Sequence, residues 1–424
     1  MRVIKPSSKK YLSLFNRFAS RNPRVEEKVR KILSDVRESG DEALIRYTRK
    51  FDKVKLTSKD LRVSESEING AYQNISPDFV STLKIAVENV SRFYKKQVKR
   101  SWKTLDGDGV LLGEKISPLE SVGVYIPSGT VPLPSTVYMT VLPAKLAGVE
   151  KVYLITPPNK FKSVDPHILV VANLLKVDGI FKAGGAQAIG AFAFGTKSIP
   201  RVDKIIGPGN AYVAEAKRQV FGYCDIDMVA GPTEVVILAN DHADTDFVAA
   251  DLLAQSEHHM GTAILVTTSK RLAKSIKKIN ARGWIVLVKN LKQGVDVINQ
   301  IAPEHAQIMI KNPQRILKQI KHAGAIFIGN YTPAAVGDYV AGPSHVLPTN
   351  GTARFFSGLS LNDFLKSSHV ISYSKKALEK VKNSVESLAM LEGLPKHMES
   401  VKIRFEKNDV VAKTVSASRK RGSA

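Results

Sequence analysis

The sequence predicts an α/β protein with two doubly wound layers, in which helices cover both faces of parallel sheets. From about residue 122 to 329, short apolar runs alternate with segments of helical periodicity. Each short run is apolar at consecutive positions, which is typical of strands buried on both faces of a parallel sheet. Two successive series of such runs occur, so we expect two layers.

The strands of these layers can be assigned from the apolar runs. The first layer is predicted to use VGVYI, KVYLIT, GIFKAGG and DKIIGPG, and the second EVVILAN, TAILVTT, GWIVLVK and AGAIFIG. Helical segments such as TDFVAADLLAQSE lie between them. This alternation is that of βαβ units.

The segments outside the two layers are predicted to be mostly helical. Apolar residues recur at helix spacing in VEEKVRKILSDV and in FVSTLKIAVENVSRFY. The stretch from Leu105 to Val124 is instead expected to form a turn-rich hairpin. Past about Leu361 the pattern is helical again and more polar.

Composition limits the class of protein. The chain has 424 residues, of which 43% are hydrophobic, so it can bury a sizeable core. It contains no run of about 18 uncharged apolar residues, and its N-terminus lacks the apolar stretch of a signal peptide, so we expect a cytoplasmic protein without membrane contact. Cys224 is the single cysteine, which excludes an internal disulfide and leaves nitrogen and oxygen as metal ligands.

The net charge of +24, from 63 basic and 39 acidic residues, raises the question of nucleic-acid binding. Most of the charge is spread over amphipathic helices such as NPRVEEKVRKIL, and only SRKRGSA is a compact basic cluster. Neither zinc-finger spacing nor an RNP-like aromatic motif occurs. We therefore expect the charge to be a surface property and not a nucleic-acid site.

Four segments place a histidine beside a carboxyl or amide side chain: QSEHH, APEH, GDYVAGPSH and EGLPKH. In the first, Gln255 and His258 are three residues apart and are predicted to share a helix face. In the second, Pro303 suits a first helical position, so Glu304 and His305 are predicted in a first helical turn. The helix dipole there would stabilise the carboxylate and favour a neutral imidazole, and both states suit bases.

The other two segments are predicted to be loops. Asp338 lies in a glycine-punctuated loop after the strand AGAIFIG, where α/β proteins place ligands. His397 follows a break between two C-terminal helices. Each of the four segments, taken alone, also has a plain structural explanation: a solvated helix end, a first-turn acid, an Asx turn or a helix cap.

Nucleotide binding has to be argued without a G-x-G-x-x-G motif. GDGVLLG has the wrong spacing and is followed by Pro118 where a helix is required. Better candidates are the strand-to-helix turns around Gly184 and Gly207 and the strand end at Tyr125, where small residues would let a phosphate approach backbone amides. The alternative is that these glycines only form tight connections.

Taken together, the motifs resemble the histidinol dehydrogenase family. The segments that carry the resemblance occur in the family's order between about Leu111 and His397 and are GVYIPSG, GGAQAIG, GPGNAYV, AGPTEV, QSEHH, APEHAQ, GDYVAGPSHVLPT and LEGLPKH. The resemblance implies two incomplete Rossmann-like domains with small helical N- and C-terminal extensions, assembled as an intertwined homodimer with shared active sites. The implied domains are an N-terminal arm (1–22), a large α/β domain with the metal and substrate residues (23–124 and 233–360), a second, NAD-binding α/β domain (125–232), and a helical tail domain that contributes to the site of the partner subunit (361–424).

The resemblance also implies the cofactors and their ligands. One zinc ion per subunit would be bound by Gln255, His258, Asp338 and His397 of the partner subunit. NAD would contact Tyr125, Gln187 and Asn210. The implied substrate contacts are Thr233, Gln255, His258, His305, Asp338, His345, Glu392 and His397. Imidazole nitrogen and carboxylate oxygen suit zinc, whereas an amide ligand is unusual.

The implied reaction is the oxidation of L-histidinol to L-histidine through L-histidinaldehyde with two NAD, the last steps of histidine biosynthesis. His305 would accept the alcohol proton, Glu304 would activate the water that adds to the aldehyde, and zinc would hold the imidazole and amine of the substrate. The chain has Thr233 where the family usually has Ser, and His259 beside His258 offers a rival ligand.

Parts of the sequence are also compatible with three other enzyme classes. A zinc and NAD enzyme of the same fold could oxidise another small alcohol, such as a sulfonated diol. A zinc hydrolase could use Glu304 to activate water without a nicotinamide. A thiol-dependent aldehyde dehydrogenase would need Cys224 as nucleophile, and its surroundings, GYCDIDM, offer acids but no evident base.

Overall fold

The computed structural model describes residues 1–4, 8–15, 22–128, 131–258 and 260–406. The chain forms two compact units. The first contains residues 1–98 and 118–365, and the second contains residues 99–117 and the described residues after 365. The basic cluster SRKRGSA lies outside the described residues.

The described part contains fourteen named strands and fourteen named α-helices. The strands are β1 Arg2–Ile4, β2 Trp102–Leu105, β3 Val110–Pro118, β4 Ser121–Tyr125, β5 Lys151–Thr156, β6 Gly179–Lys182, β7 Lys204–Ile206, β8 Asp225–Ile226, β9 Glu234–Ala239, β10 Thr262–Thr267, β11 Gly283–Leu287, β12 His305–Met309, β13 Ala325–Ile328 and β14 Leu365–Tyr373. The helices are α1 Lys9–Ser13, α2 Pro23–Phe51, α3 Glu65–Tyr72, α4 Pro77–Tyr94, α5 Pro134–Ala147, α6 Pro166–Leu174, α7 Gly185–Phe194, α8 Ala211–Val220, α9 Thr245–Glu257, α10 Lys270–Ile276, α11 Leu291–Ile301, α12 Gln314–Leu317, α13 Ala334–Tyr339 and α14 Lys375–Leu391. A further helix spans residues 395–406.

Two parallel sheets form the framework of the first unit. One has five strands in the order β6-β5-β4-β7-β8, and the other has six in the order β1-β11-β10-β9-β12-β13. All of their strand pairs are parallel. The predicted α/β fold with two doubly wound layers is confirmed, because consecutive apolar positions can only be buried when helices cover both faces of a sheet.

Each sheet lies between two layers of helices. Apolar side chains of α2, α7 and α8 cover one face of the five-stranded sheet, and those of α3 to α6 cover the other. The six-stranded sheet lies between α11 and α12 on one face and α9 and α10 on the other. The N-terminal helices predicted from their periodicity therefore belong to the core of the five-stranded sheet.

The helices begin where the sequence supplies caps. The Asn22 side chain accepts hydrogen bonds from the first backbone amides of α2, and Pro23 occupies the first position. Asp244 caps α9 in the same way. Gly40, with φ of 50°, interrupts α2 with a kink.

The second unit contains the predicted hairpin and a strand that was not predicted. Strands β2 and β3 pair antiparallel, which confirms a hairpin, but the end of the predicted stretch, residues 121–124, belongs to β4 of the five-stranded sheet. Strand β14 joins them in a three-stranded sheet. Its sequence, LKSSHVISY, lacks the alternation of apolar and polar residues that identifies a half-buried strand. Nearly all of its side chains are exposed, so no such alternation is needed. The expectation that residues after Leu361 are helical is therefore wrong for this stretch. The N-terminal extension likewise contains β1, which pairs with β11.

No helix in the described ranges has the length and apolar character needed to cross a lipid bilayer. The single cysteine is not placed for nucleophilic chemistry. Cys224 is buried, and burial raises the pKa of its thiol to about 12. The thiol is therefore protonated at neutral pH, which agrees with a structural role.

Candidate active site

Glu304 and His305 lie at the amino end of β12 and not in a helix. His305 is the first residue of the strand and is aligned with Val235 of β9. Ala302 ends α11 in the left-handed conformation, with φ of 49°. The prediction of a first helical turn is therefore wrong: Pro303 follows a helix end, where proline is also common, instead of starting a helix.

The first residue of β9 holds both side chains in place. The Glu234 backbone N–H donates to Glu304 Oε2 at 3.0 Å, and the Glu234 carbonyl oxygen lies 3.2 Å from His305 Nδ1. Because a carbonyl oxygen only accepts, Nδ1 carries the proton in the neutral ring. His305 Nε2 is then free to accept a proton, and it is buried without a hydrogen-bond partner among the described residues.

Burial and nearby charges shift the pKa values of both groups. Burial raises the pKa of Glu304. Burial alone would lower the pKa of His305, but the carboxylates of Glu304 and Asp338 outweigh it, and the pKa is raised. The Asp338 Oδ1 atom lies 3.5 Å from His305 Nε2. Both side chains are thus stronger bases than in water.

Asp338 and His345 are linked to each other. Asp338 lies in the last turn of α13, so the prediction of a loop is wrong at this residue. Its carbonyl oxygen is 2.8 Å from His345 Nδ1, and Thr136 Oγ1 is 3.2 Å from His345 Nε2. Burial alone would raise the pKa of Asp338, but contact with His305 outweighs it and the pKa is lowered.

Gln255 and His258 lie at the end of α9. Gln255 Nε2 donates to Thr233 Oγ1 at 3.1 Å. His258 follows the last helical residue and has extended backbone angles, so the two residues do not share a helix face as predicted. His258 still interacts electrostatically with Glu304 and with Asp338. His259 lies outside the described residues.

Gln307, which the sequence analysis missed, ties three elements of the site together. It is fully buried in β12, two residues after His305. Its Nε2 atom donates to Asp251 Oδ2 of α9 at 2.5 Å and to the Thr332 carbonyl oxygen just before α13 at 3.3 Å. A glutamine within the apolar strand HAQIM is the sequence signal that could have drawn attention to it.

The structure thus gathers seven of the predicted site residues in the first unit: Thr233, Gln255, His258, Glu304, His305, Asp338 and His345. Glu392 and His397 belong to the second unit, where both are exposed. Within the described ranges, no group of three or more His, Cys, Asp or Glu side chains is arranged to hold a metal ion. That finding does not count amide ligands such as Gln255.

Glu304 and His305 face different cavities. A cavity of about 390 Å³ is lined by His305, Asp338 and His345 together with apolar residues such as Phe327. A smaller cavity of about 120 Å³ is lined by Glu304, and His345 contributes to its wall as well. Two reacting groups could therefore approach the two bases from separate sides.

The three residues implied for NAD lie at the carboxyl end of the five-stranded sheet. Tyr125 ends β4, and its hydroxyl accepts a hydrogen bond from the Gly185 N–H at 3.1 Å. Gln187 lies in the first turn of α7 and is buried, and its Oε1 atom lacks a partner among the described residues. Asn210 caps α8. Carboxyl strand ends and helix N-termini are where such sheets bind phosphates.

The small cavity lies between the α8 turn and Glu304. Gly207 and Pro208 of the α8 turn line it, as do Thr233 and Glu304. The carboxyl end of the five-stranded sheet thus faces the amino end of the six-stranded sheet. A dinucleotide bound at the α8 turn would therefore lie next to a substrate bound near Glu304 and His305.

Asp52 is a second residue that the sequence analysis missed. It follows the last residue of α2, its Oδ2 atom is buried without a partner among the described residues, and burial raises its pKa to about 6. A carboxylate at a helix C-terminus is unfavourable with the helix dipole, which is the signal that could have identified it.

Replacing Asp52 by Asn is expected to stabilise the protein at pH 8 but not at pH 4. The folded-state pKa of about 6 exceeds the usual pKa of 3.8 for an Asp side chain, so burying the charge costs free energy that appears as the pH rises from about 4 to 6. We expect a gain of about 1 kcal/mol at pH 8, discounted for partial exposure. Urea unfolding at both pH values would measure it.

Asp60→Asn is the matched control for this prediction. The pKa of Asp60 is lowered, chiefly by hydrogen bonds from the Thr57 backbone and hydroxyl. Its replacement should therefore not stabilise the protein at pH 8. Equal stability of Asp52→Asn and the unmodified chain at pH 8 would contradict the prediction.

Comparison with known proteins agrees with this geometry. The family model described as histidinol dehydrogenase matches residues 15–405. The histidinol dehydrogenase of Bacillus cereus is 49% identical over 90% of this chain and 93% of its own length, and that of Caldanaerobacter subterraneus is 46% identical over 93% and 96%. The crystal structure of histidinol dehydrogenase from Elizabethkingia anophelis superposes with a TM-score of 0.90 at 35% identity, covering 96% of this chain and 99% of that one. The chain therefore belongs to the histidinol dehydrogenase family, a family of oxidoreductases.

Proposed function

We propose that this chain oxidises L-histidinol to L-histidine through L-histidinaldehyde and transfers two hydrides to two molecules of NAD. The observation that carries the proposal is the pair of adjacent buried bases, Glu304 and His305, which face separate cavities. Family membership supports histidinol over another small alcohol such as a sulfonated diol, and NAD-dependent dehydrogenation over hydrolysis.

His305 is the base of the first oxidation. Its Nε2 atom accepts the hydroxyl proton of histidinol while the hydride on the same carbon passes to NAD, which yields the aldehyde. The hydrogen bond from Nδ1 to the Glu234 carbonyl oxygen supports this role, because it presents Nε2 as the acceptor. The Asp338 carboxylate, 3.5 Å away, stabilises the ring once it is protonated.

Glu304 is the base of the second oxidation. Its carboxylate removes a proton from a water molecule, whose oxygen adds to the aldehyde carbon. The resulting hydrate anion loses a hydride to the second NAD and becomes the carboxylic acid. Two features support this role: burial raises the pKa of Glu304, and the small cavity beside it can hold water.

NAD is proposed to bind the turns that contain Tyr125, Gln187 and Asn210. Residues 125–232 would then serve the cofactor, whereas the large domain, residues 23–124 and 233–360, would carry the metal and substrate contacts. The position of these residues supports this assignment, since they lie at the carboxyl end of a parallel sheet, next to the N-termini of α7 and α8.

One zinc ion per subunit is proposed to be held by Gln255, His258 and Asp338 together with His397 of the partner subunit. The imidazole, carboxylate and amide groups are nitrogen and oxygen donors that zinc accepts. The electrostatic influence of His258 on Asp338 supports their lying near one site. When bound, the ion would supply Lewis-acid contacts to the imidazole and amine of the substrate. The protein residues themselves transfer the protons.

A homodimer with shared sites is also proposed, because the proposed zinc site takes His397 from the partner subunit. Glu392 and His397 are exposed in a segment that also exposes large apolar side chains, including Leu388, Leu391 and Leu394. Exposed apolar side chains that lie close together are typical of interaction surfaces. In the dimer this segment would bring Glu392 to the substrate and His397 to the metal.

The reaction is expected to form two NADH for each histidinol consumed. The metal-loaded protein would be incubated with limiting L-histidinol and excess NAD, and NADH absorbance would be compared with the histidine formed. A ratio near one, or the absence of turnover, would contradict the two-step proposal. Omitting histidinol provides the blank.

A further inference from the structure

Lys217 and Asp227 form a buried ion pair that the proposed reaction does not use. The Lys217 side chain is 2% exposed and that of Asp227 is fully buried, with Nζ and Oδ1 in direct contact. Lys217 lies in α8, and Asp227 follows β8. Removing two charges from water costs about as much as their attraction returns, so such a pair is weak evidence of a purely stabilising role.

Both residues also bind the backbone of Gly207. The Gly207 N–H donates to Asp227 Oδ2 at 2.8 Å, and Lys217 Nζ donates to the Gly207 carbonyl oxygen at 2.9 Å. A third backbone contact, from the Met228 N–H to Asp227 Oδ1 at 2.6 Å, anchors the carboxylate. The ion pair therefore holds the donor and the acceptor of one glycine at the same time.

Gly207 occupies a conformation that needs such support. Its φ is 119°, and a Cβ atom placed on it would lie 2.1 Å from the Tyr125 carbonyl oxygen. The backbone at this point presses against the end of β4 in a conformation that other residues rarely adopt. Three residues later, Asn210 caps α8, the helix that carries Lys217. The turn, α8 and the ion pair are therefore linked to one another through Gly207 and Lys217.

We propose that Lys217 and Asp227 are positioning residues, which hold the turn from Gly207 to Asn210 in the conformation that binds the dinucleotide. This inference rests on the proposed binding of NAD at that turn. Asp227, Gly207 and Pro208 also line the small cavity that reaches Glu304. A shift of the turn would therefore change cofactor binding more than it changes the position of the side chains that contact histidinol.

The test compares two buried lysines on either side of the turn, Lys204 in β7 and Lys217 in α8. Lys217→Met removes the ammonium group and keeps the length of the side chain. Lys204→Met is the matched control, because Lys204 is buried, pairs with Asp225 at 2.9 Å and lies at the other end of β7 from the turn. Both variants lose a buried positive charge, but only Lys217 donates a hydrogen bond to the turn, at the Gly207 carbonyl oxygen.

Lys217→Met is expected to raise the KM for NAD about tenfold or more and to leave the KM for histidinol within about twofold. NADH binding followed by fluorescence should weaken in parallel. Lys204→Met should lower stability without changing the KM for NAD. A purely structural role for Lys217 would instead shift both KM values together or neither, and either result would overturn the proposal.

Asn210→Ala separates this inference from the cofactor assignment on which it rests. If Asn210→Ala raises the KM for NAD and Lys217→Met does not, the turn binds NAD but the ion pair does not position it. If neither variant changes the KM, the assignment of the turn to NAD fails as well. Should Lys217→Met fail to fold, Asp227→Asn is measured against the same two outcomes.

Discussion

Replacing His305 by Asn is expected to slow the oxidation of L-histidinol by about 100- to 10,000-fold, the usual range for loss of a general base. Asn places an amide N–H near the position of Nδ1, so the hydrogen bond to the Glu234 carbonyl oxygen can persist. The basic atom at Nε2 is lost. Initial rates of NADH formation from histidinol, at saturating NAD, would measure the effect.

The same variant should convert added histidinaldehyde with a much smaller loss of rate, because Glu304 remains. His242→Asn is a suitable control, since His242 is exposed and outside the site. It should behave like the unmodified chain with both substrates. Equal loss of the alcohol and aldehyde reactions in His305→Asn would show that the two steps do not have separate bases.

Replacing Glu304 by Gln is expected to slow the aldehyde step more than the alcohol step, which is the reverse of the effect expected for His305→Asn. The amide oxygen of Gln can still accept the hydrogen bond from the Glu234 N–H, so the start of β12 should keep its position. The group that removes a proton from water is lost, and aldehyde conversion should fall about 100- to 10,000-fold. Histidinaldehyde should accumulate, and the NADH formed per histidinol consumed should drop from two towards one.

Stopped-time assays of histidinol, aldehyde and histidine would measure this partition directly. The urea midpoint of Glu304→Gln serves as the control for folding, since removal of a buried carboxyl could also change stability. If histidinol oxidation fell as far as aldehyde conversion while the midpoint stayed unchanged, the assignment of Glu304 to the second step alone would be wrong.

The placement of these bases departs from the common pattern of open α/β sheets. Ligands usually bind beyond the carboxyl ends of parallel strands, and the residues implied for NAD follow that rule. Glu304 and His305 instead lie at the amino end of β12, next to the amino end of β9. The two sheets meet end to end across a cavity of about 120 Å³, which is why one site can use opposite ends of two sheets.

Several elements were predictable because their signals are local. Consecutive apolar residues in EVVILA and TAILVT identify buried parallel strands, and all or nearly all of these side chains are buried in the structure. Asp244 marks the start of α9 because its side chain caps the helix within a few residues. Such signals act within one element and need no knowledge of the fold.

The errors occur where two local patterns look alike or where contacts cross the chain. Ala302 and Pro303 suit a helix end as well as a helix start, and only the pairing of β12 with β9 shows that a strand follows. Asp338 was expected in a loop, but α13 continues through it. The roles of Lys217, Asp227 and Gln307 are evident only from their hydrogen-bond partners in other elements of the fold.

The sequence by itself determined the fold class, the caps of the helices and, through the order of its motifs, the family. Those features depend on periodicity and on residues a few positions apart, where propensity and hydrogen bonding within one element decide the outcome. Only the tertiary structure decided which end of each sheet carries the site, which cavity each base faces and which buried charges hold the turn at Gly207. These depend on contacts between different elements, such as that of Glu234 with Glu304, 70 positions away, and that of Lys217 with Gly207, 10 positions away. Such contacts arise from the packing of strands and helices and not from any local preference.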